Sequence, residues 1–495
     1  MDSIWILGDQ LSETTEPLRS ADPNFVQVVM IESRAKIEGR PWHRQRLHLY
    51  LASMRRFADR LRTRGFVVDY RVAPDFRSGL MAHRADYSPE TITVGQPTSR
   101  AAVRLAEELG IVVVSSGAFL TEVSWFASLL ERTSSLTMET FYRAQRIRLD
   151  VLVDGSEPVG GRWNYDTENR RPLPKDGGTW PEPVIDPLDD LDRAVLADLP
   201  VTCVGDDPIG LWPTSREAAL KRLEHAIAHC LTDFGPYEDS MSADNWHLSH
   251  SLLSPALNLG LLHPQEVVDA AVQAYEQGHL PLSSVEGFVR QIIGWREYVW
   301  CRYWTNYPSY GQLNFFDAHA PLPAALGELG GSTMGCLNAV LADVRAYGWT
   351  HHINRLMILS SIALTNGVEP NAVVRWMSDV FVDAAEWVME PNVIGMGLYA
   401  DGGQMATKPY LSGGNYVHKM GNYCQGCQFV PTARDGAEAC PLTVWYWAFL
   451  AEQSDRLRRN PRVAAQVSAA GKRPDRFELH ERADQMRAQL QRGDL

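Results

Sequence analysis

At 495 residues the chain is long enough for two or more domains with substantial cores. It has no run of 18 apolar residues and opens on Met1-Asp2-Ser3 without a basic leader, so a cytoplasmic protein with no membrane-spanning helix is expected. The formal net charge of −13 argues at first sight against nucleic acid, but clustered basic residues can override it and charge does not decide the question; Cys203, Cys230 and Cys301 lack the paired spacing of a disulfide framework.

In chain order, Ile4-Trp5-Ile6-Leu7 reads as a buried strand that ends in a Gly8-Asp9-Gln10 turn. Short β-branched runs follow over Val26 to Ile31, Val67 to Val72, Thr91 to Val94 and Ile111 to Val114, with amphipathic helices predicted over Arg44 to Arg64 and Ser99 to Leu109. Strands separated by helices give an α/β domain with a parallel, Rossmann-like sheet. The Gly8-Asp9-Gln10 and Glu32 turns, at carboxyl ends of strands, are then candidate binding loops. Neither a Gly-x-Gly-x-x-Gly fingerprint nor a Walker loop occurs, which argues against a standard dinucleotide site or an NTPase. Between Arg34 and Arg64 stand ten Lys/Arg against two acids, Glu38 and Asp59. That stretch reads as a solvated helix face or as a phosphate-facing patch. From about Gly155 to Pro213 the texture is irregular, and its aromatic content (Trp163, Tyr165) predicts an ordered connector that packs against something. After Ser215 the apolar pattern is helical through about Glu452, and the last forty residues predict an amphipathic helical tail.

The helical half carries the chemistry. His250-Ser251-Leu252-Leu253-Ser254-Pro255 offers hydroxyls and amides ahead of an apolar helix, a pyrophosphate cradle or a plain helix cap. Arg355 and Asp383 fall in apolar stretches where an unpaired charge is costly, so each requires a partner and they could pair with each other. His351 and His352 are adjacent, about 100° apart on a helix; they read as a proton-transfer pair or as buried structural imidazoles. Cys336, the Cys424-Gln425-Gly426-Cys427 pair and Cys440-Pro441 have the residue types of a cubane iron–sulfur centre. A four-thiolate zinc site and unligated cysteines are the alternatives. Eight tryptophans crowd this half, from Trp295 to Trp447, most of them as core residues.

Taken together, the segments GDQLS, SLTMETFYR, GGRWNYDTENRRP, HSLLSPALNLGLL, VEGFVRQIIGWREYV, HHINRLMI, PNVIGM, KPY, YCQGC and CPL resemble the photolyase/cryptochrome superfamily. The similarity is to its branch of iron–sulfur bacterial cryptochromes and (6-4) photolyases. The resemblance implies an antenna-binding α/β domain over residues 1–135, an interdomain connector over 136–213, an all-α FAD-binding domain with an iron–sulfur cluster over 214–455, and a helical extension over 456–495. It implies FAD contacts from His250, Ser251, Leu252, Ser254, Gln291, Arg296, Arg355, Asp383 and Asn392, and flavin photoreduction through Trp376. A [4Fe-4S] cluster would sit on Cys336, Cys424, Cys427 and Cys440, and a 6,7-dimethyl-8-ribityllumazine antenna near Gly8, Asp9, Gln10 and Glu32. The implied reaction is light-driven repair of (6-4) photoproducts in UV-damaged DNA by a monomer. In it His352 is the general acid with His351 in support, Tyr410 and Met396 line the lesion pocket, and Asp166 assists with a divalent cation. A blue-light receptor with the same cofactors and a protein partner, and a cluster-bearing DNA-binding module without photochemistry, are the alternatives. The sequence departs from its relatives at Glu328, which replaces a tryptophan, at Met389-Glu390 beside the expected flavin site, and at Lys36, where an acid is common.

Overall fold

The computed structural model describes residues 1–133, 136–306 and 308–495. The expected domain boundary at Ser135, which is also the first residue of the SLTMETFYR motif, lies outside them. Five short strands, β1 (Asp2–Ile6), β2 (Val26–Ser33), β3 (Val68–Ala73), β4 (Ile92–Gly95) and β5 (Val112–Val114), form an all-parallel sheet in the order β3-β2-β1-β4-β5. Helices Arg44–Thr63, Phe76–Tyr87 and Arg100–Glu108 provide connections between successive strands from β2 onward. The chain moves outward from β1 through β2 to β3, then returns past β1 to β4 and β5. The switch point therefore lies at the end of β1, where Gly8-Asp9-Gln10 follows.

Alternation along β1 splits the sheet's two faces. Trp5 packs with Val29, Ile31, Leu80 and Val94 in one core. Ile4 and Ile6 join Met30, Leu49 and Phe57 in another, which continues without a break into Leu252, Leu253, Leu257 and Ile292 of the helical half. The sheet domain and the helical half thus share one core.

The basic stretch is divided: Arg34, Arg60, Arg62 and Arg64 are exposed, as on a solvated face, while the other guanidiniums turn inward to partners. Arg55 donates to Glu32 (2.8 Å) and Asp198 (2.9 Å), Arg56 to Asp189 (2.9 Å) and Asp192 (2.7 Å), and Arg60 to Glu13 and Glu217. Arg46 donates to the carbonyls of Phe381 (2.8 Å) and Ala384 (2.6 Å). Helix Arg44–Thr63 thus shares its guanidiniums among the sheet domain (Glu13, Glu32), the connector (Asp189, Asp192, Asp198) and the helical half (Glu217, Phe381, Ala384).

The connector is ordered, as its aromatic content predicts. Helix Asp190–Asp198 packs on helix Arg44–Thr63. Asn169 is fully buried and donates to the Ser283 carbonyl (3.1 Å), while the Tyr165 amide donates to Glu286 (2.9 Å). The tail forms helices Ala464–Gly471 and Arg476–Arg492, which cover helix Pro441–Glu452; Trp445 donates to the Ala483 carbonyl (3.3 Å), and Arg487 pairs with Glu452 (2.9 Å). Among the described residues no helix is long and apolar enough to cross a membrane.

Candidate active site

A cavity of about 370 Å³ opens in the helical half, within the size range of cofactor sites. Three wide helical turns with i→i+5 bonding, Arg290–Arg296, Asn354–Ser360 and Pro391–Gly397, contribute to its wall. Each such turn inserts an extra residue and shifts side chains out of ordinary helical register, a device common at functional sites. These turns bring in Gln291 and Arg296, Arg355, and Asn392 and Met396.

The opposite wall is His250-Ser251-Leu252-Leu253-Ser254. Leu252 adopts the left-handed conformation (φ 56°), which bends the chain into helix Ser254–Leu259. The plain-cap reading of this segment does not hold. No side chain caps the helix, and the Ser254 hydroxyl donates instead to Asp383 Oδ2 (2.8 Å).

Asp383 anchors the polar end. Arg355 donates to both its oxygens (2.9 and 3.1 Å), donates through Nε to the Thr350 carbonyl (2.7 Å), and lies 4.0 Å above the Phe381 ring. Asn258 extends the network: its amide donates to the Asp383 carbonyl (2.7 Å) and its oxygen accepts from Arg296 (3.1 Å). Sequence reasoning missed Asn258, although its position four residues after Ser254 puts both on one helix face. Arg296 is held between Phe119 (4.6 Å) and Trp387 (4.8 Å), with its Nε buried and unpartnered. Burial pushes the Arg296 guanidinium down to about 10. A desolvated cation with a spare donor, two serine hydroxyls and apolar walls fit a dinucleotide that carries both phosphate and a flat ring.

Three imidazoles meet at the cavity's edge. His250 stacks on His351 (4.8 Å between centroids, 22° between planes), and His352 lies 5.7 Å from His250. Burial pushes His250 down to about 3 and His351 well below its ordinary value, so both are neutral at neutral pH. His352 is different. Its side chain is 50% exposed, it lines the cavity, and its Nε2 is 3.5 Å from Asp239 Oδ1, a partner that sequence reasoning did not find.

Other expected site residues lie off the cavity wall. Trp376 is buried beside Phe381 (6.3 Å), and its neighbour Met377 reaches the cavity. Half-buried Tyr410 lies near enough to Asp239 and Arg170 to feel their charges. Asp166 accepts from Arg290 and from Arg170 (3.2 Å). The carboxylate expected to assist with a divalent cation is thus already engaged by two guanidiniums and stays partly exposed. Met389 lines the cavity, whereas Glu390 turns away to pair with Arg100 (2.9 Å) at the start of helix Arg100–Glu108. Glu328 is exposed.

The antenna turn lines a cleft between the sheet domain and the helical half. Asp9 and Gln10 share it with Gln96, Thr98, Phe119 and Arg296. Asp9 accepts from the Thr98 hydroxyl, Gln10 donates to the carbonyls of Gly95 (2.9 Å) and Gln96 (3.2 Å), and Gly8 abuts Met54. Glu32 does not reach this cavity; Arg55 and Tyr70 occupy its carboxylate.

The four cysteines converge. Cys336 near the start of helix Gly335–Tyr347, Cys424, Cys427 and Cys440 just before helix Pro441–Glu452 line one small apolar cavity, and all are free thiols. Burial, then the charges of the neighbouring sulfurs, pushes Cys424 up to about 12. A Cβ at Gly414 would stand 2.7 Å from the Cys440 sulfur, so that glycine leaves the sulfur its space. Four thiols with no competing polar lining fit a thiolate-bound metal centre.

A parallel sheet docked on a helical half of this kind is the photolyase/cryptochrome fold. The structure superposes on a bacterial class III photolyase from Agrobacterium tumefaciens with a TM-score of 0.62 at 18% identity, covering 99% of this chain and 97% of that one. It also superposes on a cryptochrome from Synechocystis sp. PCC6803 with a TM-score of 0.55 at 15% identity, covering 94% and 89%. In sequence, residues 4–204 match the family described as deoxyribodipyrimidine photo-lyase-related protein. A protein named (6-4) photolyase from Agrobacterium fabrum (strain C58 / ATCC 33970) is 38% identical over 479 residues, covering 93% of this chain and 94% of its own. The chain belongs to the photolyase/cryptochrome superfamily, a family of FAD-dependent flavoproteins.

Proposed function

We propose that this protein is a light-driven DNA lyase that repairs pyrimidine (6-4) pyrimidone photoproducts, and that its four converging cysteines hold a [4Fe-4S] cluster. The observation that carries the reading is the shared cavity: half-exposed His352 opens on the space that Arg296, Ser254 and the Arg355–Asp383 pair line. The name of the Agrobacterium fabrum relative agrees with it. When bound and reduced, FAD supplies a photoexcited electron. This chain's residues do the rest. Arg296 and the serines would hold the phosphates, and Asp383, kept in place by Arg355, Ser254 and Asn258, would hold the ring edge. Reversing a (6-4) adduct moves a hydroxyl or amino group between two rings and needs a proton at that group. His352 supplies the proton, and Asp239 orients its imidazole. His250 and His351, buried and neutral, support His352 as packing partners. An antenna chromophore would sit at the turn from Gly8 to Gln10 and pass excitation to the flavin; no step here depends on it. Met389, at the cavity wall where the sequence departs from its relatives, favours the photoreceptor alternative.

The test is illumination of the reduced protein with a (6-4)-containing oligonucleotide, with lesion loss followed by chromatography. The wild type should clear the lesion, and His352→Ala should be slower by about 10²–10⁴-fold, the usual worth of a positioned acid. Flavin content should be unchanged. No loss beyond the dark control sinks the repair reading, and full activity in His352→Ala removes the proposed acid.

A further inference from the structure

The imidazole cluster has a second capacity. We infer that His250, His351 and His352 form a site for a borderline transition-metal ion of the Zn²⁺ class, and that its occupancy blocks the proposed proton donor. One ligand atom from each of the three lies within 4.8 Å of the others. Tetrahedral bonds of 2.0–2.1 Å place ligand nitrogens roughly 3.4 Å apart, so closure asks for ring shifts of about an ångström. Half-exposed His352 can supply much of that movement.

Hydrogen bonding has already set one of the ligands. His250 Nδ1 lies 2.9 Å from the His247 carbonyl, an atom that can only accept, so Nδ1 carries the proton and Nε2 keeps its lone pair. That Nε2 and His351 Nδ1 are both buried with no hydrogen-bond partner among the described residues, in residues 9% and 1% exposed. Two unpartnered nitrogens this deep are costly unless something binds them. Burial keeps both imidazoles unprotonated at neutral pH, the state a metal requires. Asp239, 3.5 Å from His352 Nε2, adds a carboxylate that offsets the cation's charge. The all-nitrogen donor set selects Zn²⁺, Co²⁺, Ni²⁺ or Cu²⁺ over Mg²⁺ and Ca²⁺. Binding adds three N–metal bonds and releases a proton only from a His352 that was protonated. With its lone pair engaged, His352 cannot carry a proton to substrate. The inhibitory consequence rests on the repair reading; the metal site itself does not.

Co²⁺ is the probe, titrated in the dark and without DNA into holoprotein that retains its cysteine-bound centre. One Co²⁺ per chain should give tetrahedral d–d bands without a thiolate charge-transfer band, and Zn²⁺ should displace it. His250→Ala should abolish the bands. Should that variant fold poorly, His352→Ala, altered at an exposed position, should still weaken binding by about tenfold or more. The exposed group Glu452, His480 and Asp484 is the control, and His480→Ala should leave the titration unchanged. Absence of d–d bands, a thiolate band, or sensitivity to His480→Ala each overturns the site. Lesion loss that Zn²⁺ slows and a chelator restores supports the block. Cobalt binding without any effect of Zn²⁺ on repair overturns the block and leaves the site standing.

Discussion

At the scale of single residues, Asp383 carries the most consequence. It accepts from both guanidinium arms of Arg355 and from the Ser254 hydroxyl, with its side chain only 9% exposed. Removing one member of a buried pair strands the other, at a cost of ~3–5 kcal/mol. Asp383→Ala should therefore lower stability by about that amount in urea melts and should leave purified protein with little flavin absorbance. Asp383→Asn keeps hydrogen bonds at the same place and should keep more of both. Equal flavin content in wild type and Asp383→Ala would detach Asp383 from the cofactor. This pair was legible in the sequence for a physical reason, since each charge in an apolar stretch needs a partner, although Asp383 lies in the turn between helices Pro370–Val380 and Glu386–Glu390 and not in a helix as expected. The phosphate-side residues became legible only through the family resemblance. Asp239 was not legible. It meets His352 from a distant segment, and nothing in periodicity or spacing reports a contact made by tertiary folding.

At the scale of elements, the four converging cysteines join helix Gly335–Tyr347 to the start of helix Pro441–Glu452, where the proposed centre would clamp the two, and Gly414, opening helix Gly414–Met420, leaves room beside Cys440. A methyl at Gly414 would meet the Cys440 sulfur and the Pro431 carbonyl, each at 2.7 Å. Overpacking of this kind typically costs about 1–3 kcal/mol, and here the strain falls on a ligand. Gly414→Ala should lose more than half of the protein-bound iron and acid-labile sulfide while keeping all four cysteines. Gly471→Ala, whose new methyl meets nothing within 4 Å, should lose none. Full iron content in Gly414→Ala would show that the centre does not sit against Cys440 in this way. Strand positions and the longest helix followed from β-branched runs and a twenty-residue amphipathic pattern. Helix Phe76–Tyr87 escaped notice because its interior holds Gly79, a poor helix former. The fold explains that glycine, since a Cβ there would come within 2.9 Å of Ile31 under the sheet. The three wide turns at the cavity escaped too, because an inserted residue in a helix leaves no compositional mark.

At the scale of the whole molecule, the two halves behave as one body, and histidines buried at and around their junction make that body sensitive to acid. The composition foretold an α/β part and a helical part, but not their common core, because periodicity shows which face is apolar and not what covers it. His43 stands at the seam: it caps helix Arg44–Thr63, lies 3.0 Å from the Arg345 carbonyl through Nε2, and donates its amide to the Asp379 carbonyl (2.9 Å). Burial pushes His43 and His247 from 6.5 down to about 4, and His250 down to about 3. These folded values lie below the unfolded ones, so the unfolded chain binds protons first as pH falls. The stability they contribute is complete above about 6.5 and is lost progressively toward pH 4 and below. Each site is worth up to ~3–5 kcal/mol across that window, less whatever relaxation allows. The melting temperature should therefore drop steeply between pH 6.5 and pH 4, with more than one proton taken up on unfolding. His43→Gln, which can still hydrogen-bond across the seam, should start less stable at pH 7 and lose less on acidification, the slope falling by up to one proton. Parallel curves for wild type and His43→Gln would mean that the seam histidine is not what titrates, and the acid sensitivity would then belong to His247, His250 and the other buried groups.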